Sequence, residues 1–550
     1  MSAQEDSGSA SGTTTLSPLV YAVVAVTGAL LQLLQAARRV YPPDEDPIYY
    51  RLTAEALARG RGFVADVSFM WVSAPDSAKG HPSHDHWQPL TSLMIAPFVT
   101  LSDALWVAVI PNALLTGILA AVLLSLGHRA LDSSALAIAA VLLLLADPTA
   151  SRYFSSVESI PSYLLLLLGA AIAYSKSENT QPFRLWPVLL GTFSALAALS
   201  RSDAMTLFGL AGGLTFVLGK ALRMTVPTLR TLASSAAVFT VLMAPWWLRN
   251  LRTFGTPLSP ASRVAPWLLH WYDVLIYEPT DWKARYLAHA ALDPGAVLSA
   301  KLGAFWFELL QIIGGPAGLA LSPIVFLGVA DLLRRRSSAL TFLATFSLAL
   351  AGTYGLLMEW GPEVGGGYRS RVATLPLAIL GLLAGGRFVA EVLLRRLVPA
   401  PRLQLGFEGL TLAAALALLG VRVDEITSAP IEGLGTRKIF DAVDAALNDA
   451  GVPNDATVIT NEPLRVGYST GRPTLVIPND GNDALCKVAR RYETRWLVLF
   501  PFGWHFERYA SESVKALATH PHEGPDFQTI TWTSWFHLIE LGCGRTDQEK

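Results

Sequence analysis

Three acids stand in consecutive positions, Asp44, Glu45 and Asp46, in the stretch YPPDEDPIYYRLTAEALARG that follows the first apolar segment. Acids are seldom left idle beside a membrane, and a carboxylate there can take the proton of a hydroxyl nucleophile. One acid of this turn is therefore expected to be the catalytic base of a membrane enzyme. The competing reading is a solvated turn with a helix cap. Asp46 is placed to cap a helix with Pro47 at its first position, and Gly60 to stop it. Ile48, Leu52 and Ala56 share one face of that helix, while Arg51, Glu55 and Arg59 are spaced to pair on another. It is expected to lie along the membrane surface with the acidic turn at its polar edge. The residues alone do not separate Asp44 from Glu45.

Further polar groups recur at similar places along the chain. A long loop carries His81, His84, Asp85, His86, Trp87, Gln88 and Pro89. Its three histidines and Asp85, within six residues, could hold a divalent ion (Mg, Mn or Zn), and Asp44, His84 and His86 are the candidate ligands. The spacing matches no specific zinc pattern, so hydrogen bonding to substrate or simple packing is preferred. The piece LTSLMIAPFVT that follows suits an interfacial dip. Arg152, Tyr153 and Glu158 fall at one helix mouth, and Arg201 and Asp203, expected to pair, at another. In APWWLRNLRTFG, Trp246 and Trp247 read as interfacial anchors, with Arg249 and Asn250 beyond them. The segment GGGYRSR joins glycines, which let backbone approach a ligand, to Tyr368, Arg369 and Arg371. Two arginines there suit a phosphate or diphosphate, with headgroup contact or helix capping as the plainer alternative.

The elements that must carry these groups are membrane helices. Of 550 residues 52% are hydrophobic and 15% charged, against roughly 25% charged in a soluble domain. The net charge of -1 gives no basic surface for nucleic acid. Residues 1–16 read as a disordered cytoplasmic tail without a signal-peptide pattern, so the next apolar run is expected to stay as an anchor. Eleven crossings are expected, at 17–37, 104–126, 133–148, 159–175, 185–200, 203–219, 229–247, 304–330, 338–358, 372–394 and 404–421. With the amino terminus inside, Lys220, Arg223 and Arg230, then Arg334, Arg335 and Arg336, then Arg395, Arg396 and Arg402 all fall in cytoplasmic connections. Loops 38–103 and 248–303 and the tail 422–550 then face outward from the transmembrane region 17–421.

The tail reads as a small α/β domain: a helix in TRKIFDAVDAALNDAG, strands in ATVIT, TLVIP and RWLVLF, a loop over NEPLRVGYSTGRP and a helix in NDALCKVARRYE. Helices alternating with apolar strands suggest a parallel sheet, and no nucleotide-binding motif accompanies it. Cys486 and Cys543, the two cysteines, could pair outside the cell or remain free. The tail is placed to act as a lid or acceptor platform.

Polar candidates gather at one side of the membrane rather than at its midplane, where a transporter would place them. An acid to deprotonate a hydroxyl and arginines to hold phosphate fit sugar transfer from a lipid-linked donor. A lipid-linked saccharide flippase and a glycan ligase using a diphosphate-linked donor are the alternatives. The chain resembles the GT-C superfamily of polytopic glycosyltransferases, in its branch similar to protein O-mannosyltransferases and the aminoarabinose transferase of lipid A. The resemblance is carried by Asp44-Glu45 with Tyr49, Leu52, Ala56 and Gly60-Arg61-Gly62-Phe63, and by His86-Trp87-Gln88-Pro89-Leu90 and Glu158. It continues in Ser200-Arg201-Ser202-Asp203, Pro245-Trp246-Trp247-Leu248-Arg249-Asn250 with Phe254-Gly255, Tyr368-Arg369-Ser370-Arg371 with Pro376, and Tyr468-Ser469-Thr470-Gly471-Arg472-Pro473.

That resemblance implies a polyprenyl-phosphate-sugar donor held among membrane lipids, an inverting transfer to a glycan, lipid or protein hydroxyl, and a monomer in a bacterial plasma membrane with its site outward. It implies Asp44 as base with Glu45 assisting and Asp46 in the helix cap. Arg369, Arg371 and Arg249 would bind donor phosphate, and Tyr49, His86, Trp87, Gln88, Glu158, Arg201, Asp203 and Tyr368 would contact substrate. Members of the superfamily differ in whether they use a divalent metal. GGGYRSR offers two arginines where one would serve, which leaves open which of them meets the phosphate.

Overall fold

A backbone in hydrocarbon must satisfy its own hydrogen bonds, so the apolar runs fold as helices. The computed structural model describes residues 16–314, 319–358, 369, 371–394, 398–501, 510–519 and 521–544. From the amino end come α1 (Pro18–Ala37), α2 (Glu45–Ala58), the short strands β1 (Val64–Ala65), β2 (Val67–Ser68) and β3 (His81–Pro82), and α3 (Leu90–Val99). The bundle continues as α4 (Leu105–Leu131), α5 (Ser134–Ala146), α6 (Pro148–Phe154), α7 (Ile160–Lys176), α8 (Leu185–Ser200), α9 (Ala204–Ala221) and α10 (Leu229–Phe254). After α11 (Pro260–Val264) and α12 (Trp282–Leu292) it resumes with α13 (Pro294–Gly314), α14 (Ser322–Arg334), α15 (Ser338–Gly352), α16 (Leu375–Leu394) and α17 (Ala400–Ser428).

The chain is a multi-pass helical membrane protein, but the expected eleven crossings are too many. Among the described residues seven helices are long and apolar enough to span: α1, α4, α9, α10, α15 with the turn after it, α16 with the turn before it, and α17. An eighth is reached if α5 and α6, bent by 71°, count as one. The bend has a cause: Asp147 breaks the run and caps α6, its carboxylate accepting from the Ala150 amide at 2.7 Å. Helices α7 and α8 have 17 and 16 residues and rise about 25 Å, short of the ~30 Å hydrocarbon core. The expected crossing 304–330 is divided between α13 and α14. Close approach within the bundle rests on small residues: a Cβ at Gly328 of α14 would collide with the Gly381 carbonyl oxygen of α16.

The tail comprises α18 (Leu434–Asp449), β4 (Val458–Thr460), α19 (Pro463–Thr470), β5 (Thr474–Val476), α20 (Asn482–Arg491), β6 (Trp496–Leu499), α21 (Glu512–Ala516), β7 (Phe527–Trp532) and β8 (His537–Leu541). Its sheet runs β2-β5-β4-β6-β8-β7, parallel through the first four strands and antiparallel in the last two. The expected parallel core is present. Two of its features were not foreseen from the sequence: the antiparallel pair at one edge, and β2, which the first loop lends to the other. The stretch 461–473, expected as a loop, holds α19, which starts on Pro463 and stops at the left-handed Gly471 (φ 69°). Cys486 and Cys543 are disulfide-bonded, tying α20 to the turn after β8.

Arg472, just after α19, is almost fully buried. It donates to Asp444 (2.7 Å), to Asn448 (2.7 Å) and Asn454 (3.0 Å), and to the carbonyls of Pro453 (3.1 Å) and Val452 (3.0 Å). One guanidinium thus joins α18 to the loop before β4. Arg472→Met removes these five contacts, whose partners other than Val452 reach solvent, and is expected to cost about 2 kcal/mol. Thermal unfolding of the purified protein checks this; an unchanged midpoint would show the contacts to be dispensable.

Candidate active site

The acidic turn is held before it is charged. Just after α1, Arg39 donates to Glu432 (2.6 Å) and to the Ser155 carbonyl (2.6 Å), while its backbone bridges to Glu432. Tyr41 stacks on Phe440 at 5.8 Å and shares a 3.1 Å hydrogen bond with Ser469. The strand entering the turn is therefore clamped to the tail domain. Asp44, not Asp46, is the cap: its Oδ1 accepts from the Glu45 amide at 3.1 Å, and Glu45, Asp46 and Pro47 form the first helical turn. Proline is tolerated there because the first helical amides lack intrahelical acceptors. The other oxygen of Asp44 accepts from Arg369 at 3.1 Å, and the same guanidinium pairs with Asp46. Asp44 keeps 31% of its side chain exposed, against 10% for Asp46.

Helix α2 is more enclosed than an interfacial helix. Ile48 and Ala56 are buried as the spacing requires, but so are Tyr49, Tyr50 and Arg51, because α3 and α19 pack on it as well. The pairing on its polar face matches its spacing, with Glu55 accepting from Arg51 at 3.0 Å and from Arg59 at 3.3 Å.

Two more carboxyls stand close to the turn. Glu158, before α7, is buried, and neither of its oxygens meets a side-chain donor. Burial and the charge of Asp44 raise its pKa well above the ordinary carboxyl value, with Arg201 opposing. Asn112 holds this loop by donating to the carbonyls of Ser156 (2.7 Å) and Glu158 (2.8 Å). Glu462, at the start of α19, was missed by sequence reasoning because its segment read as loop. Burial and the nearby Glu45 raise its pKa to about 7, against the pull of Arg465 at 3.2 Å.

The candidate arginines have distinct partners. Arg371 is gripped by the fully buried Glu308 at 3.0 and 3.1 Å, a partner the sequence reading did not identify. Arg249 donates to the carbonyls of Ser83 (2.7 Å) and Phe63 (3.4 Å) and to Asn250 (3.0 Å), which fastens the first loop to the end of α10. Arg201 pairs with Asp203 at 3.1 Å as expected, and Tyr354 donates to the same carboxylate at 2.7 Å. Tyr368 lies outside the described residues, as do the glycines before it.

In the first loop, His84 is fully buried, with Ser83 on one ring nitrogen (2.7 Å) and Ser92 on the other (3.3 Å). Burial lowers its pKa to about 3, and burial with Arg201 lowers that of His86 to about 4, so both rings are neutral at pH 7. The Tyr49 hydroxyl accepts from the His84 amide at 2.5 Å, and its ring lies 4.2 Å from that of Trp87. Gln88 accepts from the indole of Trp246 at 3.1 Å, so Trp246, expected at the membrane belt, instead packs inward. Both ring nitrogens of His84 thus lie within hydrogen-bond reach of serine hydroxyls. Among the described residues no three His, Cys, Asp or Glu side chains gather to hold a metal ion.

No protein-family model and no curated protein matches the chain. Solved structures share its fold. ArnT from Cupriavidus metallidurans bound to undecaprenyl phosphate is 14% identical with a TM-score of 0.57, over 96% of this chain and 99% of that one. The oligosaccharyltransferase AglB from Archaeoglobus fulgidus, in complex with an inhibitory peptide and a dolichol-phosphate, is 13% identical with a TM-score of 0.53, over 94% of this chain and 74% of that one. The chain therefore has a GT-C-like fold, the architecture that its motifs resemble.

The position of Glu462 has a measurable consequence. Its folded pKa of about 7 exceeds the ordinary 4.5, so between these values the folded state holds a proton that the unfolded state has lost. This contribution to stability is full below pH 4.5, falls as pH rises through the window and is gone above 7. Glu462→Gln should flatten that part of the stability profile, read as melting temperature against pH beside wild type. An unaltered slope would place the titration elsewhere.

Proposed function

We propose that the protein transfers a sugar from a polyprenyl-phosphate-linked donor to an acceptor hydroxyl at the outer face of a cell membrane. The observation that carries this reading is the acid turn: Asp44 is capped in place, paired with Arg369 and still partly exposed, at the head of α2 in a GT-C-like fold. The undecaprenyl phosphate in ArnT and the dolichol-phosphate in AglB support a lipid phosphate as the donor's carrier. The Cys486–Cys543 disulfide supports an oxidising exterior for the tail.

In this reading Asp44 accepts the proton of the acceptor hydroxyl as its oxygen bonds to the anomeric carbon. The bond from that carbon to the phosphate oxygen breaks, polyprenyl phosphate departs, and a single displacement inverts the centre. Arg369 stabilises the charge growing on the phosphate, moving its hydrogen bond from Asp44 to the donor and freeing the base. Arg371, steadied by Glu308, is the second phosphate contact. Glu45, whose charge helps keep Glu462 protonated, assists, and His86, Glu158, Arg201 and Asp203 face the sugar. Tyr49, Trp87, Gln88 and Arg249 keep the loop in register through the contacts described above. The hydrocarbon of the donor lies among the membrane helices.

Transfer of radiolabelled sugar from synthetic polyprenyl-phosphate sugars tests the reading, with an EDTA arm to report any dependence on a divalent ion. Asp44→Asn should lower transfer by about 10²–10⁴-fold, the range of general-base catalysis, while the protein still folds and binds donor. Equal transfer by the two proteins would refute the assignment, and saccharide flipping that survives the substitution would favour a transporter.

A further inference from the structure

Alongside the acid turn, and separate from it, α2 forms one wall of a cavity of about 750 Å³. Tyr41, three positions before Asp44, is among its lining residues, as are Arg51 and Glu55 of α2. Asp103 and Trp106 contribute from the start of α4, and Tyr468 of α19 closes it from the tail domain. Its volume falls within the range of small-ligand sites, but its wall is far more charged than a pocket for hydrocarbon would be.

The charges cancel locally. Arg61 forms a fork with Asp66 at 2.7 and 2.8 Å, Arg51 and Arg59 share Glu55, and Arg437 pairs with Asp441 at 3.6 Å. Arg39 and Arg472 are matched by acids behind the wall, Glu432 and Asp444. The six arginines of the wall are matched by its four acids together with Glu432 and Asp444 behind it, so the wall offers donors and acceptors with little net charge to draw in an anion, which suits a neutral, hydroxyl-rich ligand. Arg51 adds an unmet demand. Only 5% of its side chain is exposed; Nε donates to Glu55 and Nη2 to the Asp103 carbonyl at 2.8 Å, while Nη1 has no acceptor. Its guanidinium lies 5.6 Å from the Tyr468 ring centre. Trp106, 44% exposed, offers an apolar ring face against which the C–H face of a pyranose can lie.

We propose that this cavity binds a neutral saccharide portion of the acceptor, placing its hydroxyl toward the acid turn. The inference rests on the sugar-transfer reading and adds to it the acceptor's chemical class and its site, shared between α2, α4 and the tail.

The test uses the full-length protein in nanodiscs, an array of neutral di- to tetrasaccharides, and inorganic phosphate as competitor. Wild type should retain a subset of the saccharides. Trp106→Ala and Asp103→Asn, both at exposed positions, should weaken retention by up to about tenfold each, the scale of one ring or hydrogen-bond contact. Phosphate should not compete. An array that retains nothing, variants that bind like wild type, or displacement by phosphate would each overturn the proposal. The two readings fail separately: unchanged saccharide binding in Trp106→Ala, with transfer abolished by Asp44→Asn, removes the cavity alone. Saccharide binding that depends on Trp106, without transfer from any polyprenyl-phosphate sugar, removes the transfer reading alone.

Discussion

Two carboxylates two residues apart repel, and the guanidinium of Arg369 lets Asp44 and Asp46 share one turn. The arginine comes from more than 300 positions along the chain, so the turn cannot assemble until the bundle has brought the segment before α16 to the head of α2. Arg371, two residues on, is fixed to the buried Glu308 of α13, which anchors the backbone that presents Arg369. A pair in which one partner were lost would leave a partly buried charge uncompensated, a cost of several kcal/mol.

The same economy of long-range contacts joins the tail to the membrane bundle. Strand β2 belongs to the first loop by sequence and to the tail's sheet by hydrogen bonding, pairing Val67 with Thr474 and Ser68 with Leu475. Arg39 meets Glu432, Tyr41 packs on Phe440, and Glu462 faces Glu45. A tail attached only through α17 could swing away from the bundle. These contacts instead make it one wall of the site, and α2 is buried from the side that a free interfacial helix would show to water.

What was legible in the sequence followed from local rules. Apolar length marked the helices, turn chemistry marked α2 and its paired arginines, and the strand-helix alternation marked the core of the tail. The misreadings arose where local signals compete. Asp44, Glu45 and Asp46 are all acceptable caps, and only the backbone's exit from α1 chooses Asp44. Apolar composition alone counted α7 and α8 as full crossings, though 17 and 16 residues are short for the task. Glu308 and Glu462 carry no motif, since a single acid in an apolar helix or beside a proline announces nothing until its partner is known. The two-residue strand β2 is too short for any periodicity to reveal.

The charge around the turn has a common pattern. Asp44 and Asp46 are set against Arg369, Glu45 and Glu462 against Arg465, and Glu158 and Asp203 against Arg201, the last set joined by electrostatic reach as well as contact. Each set places two acids against one arginine. If every carboxyl were ionised, the surroundings would carry excess negative charge and resist the approach of a phosphate. Burial relieves this in two of the sets, because Glu158 and Glu462 both favour the protonated form relative to ordinary carboxyls. The buried acids therefore moderate the field around Asp44, which stays partly exposed. Environment thus divides chemically similar carboxyls into different roles, and it does so through the helices and the tail that decide which of them meet water.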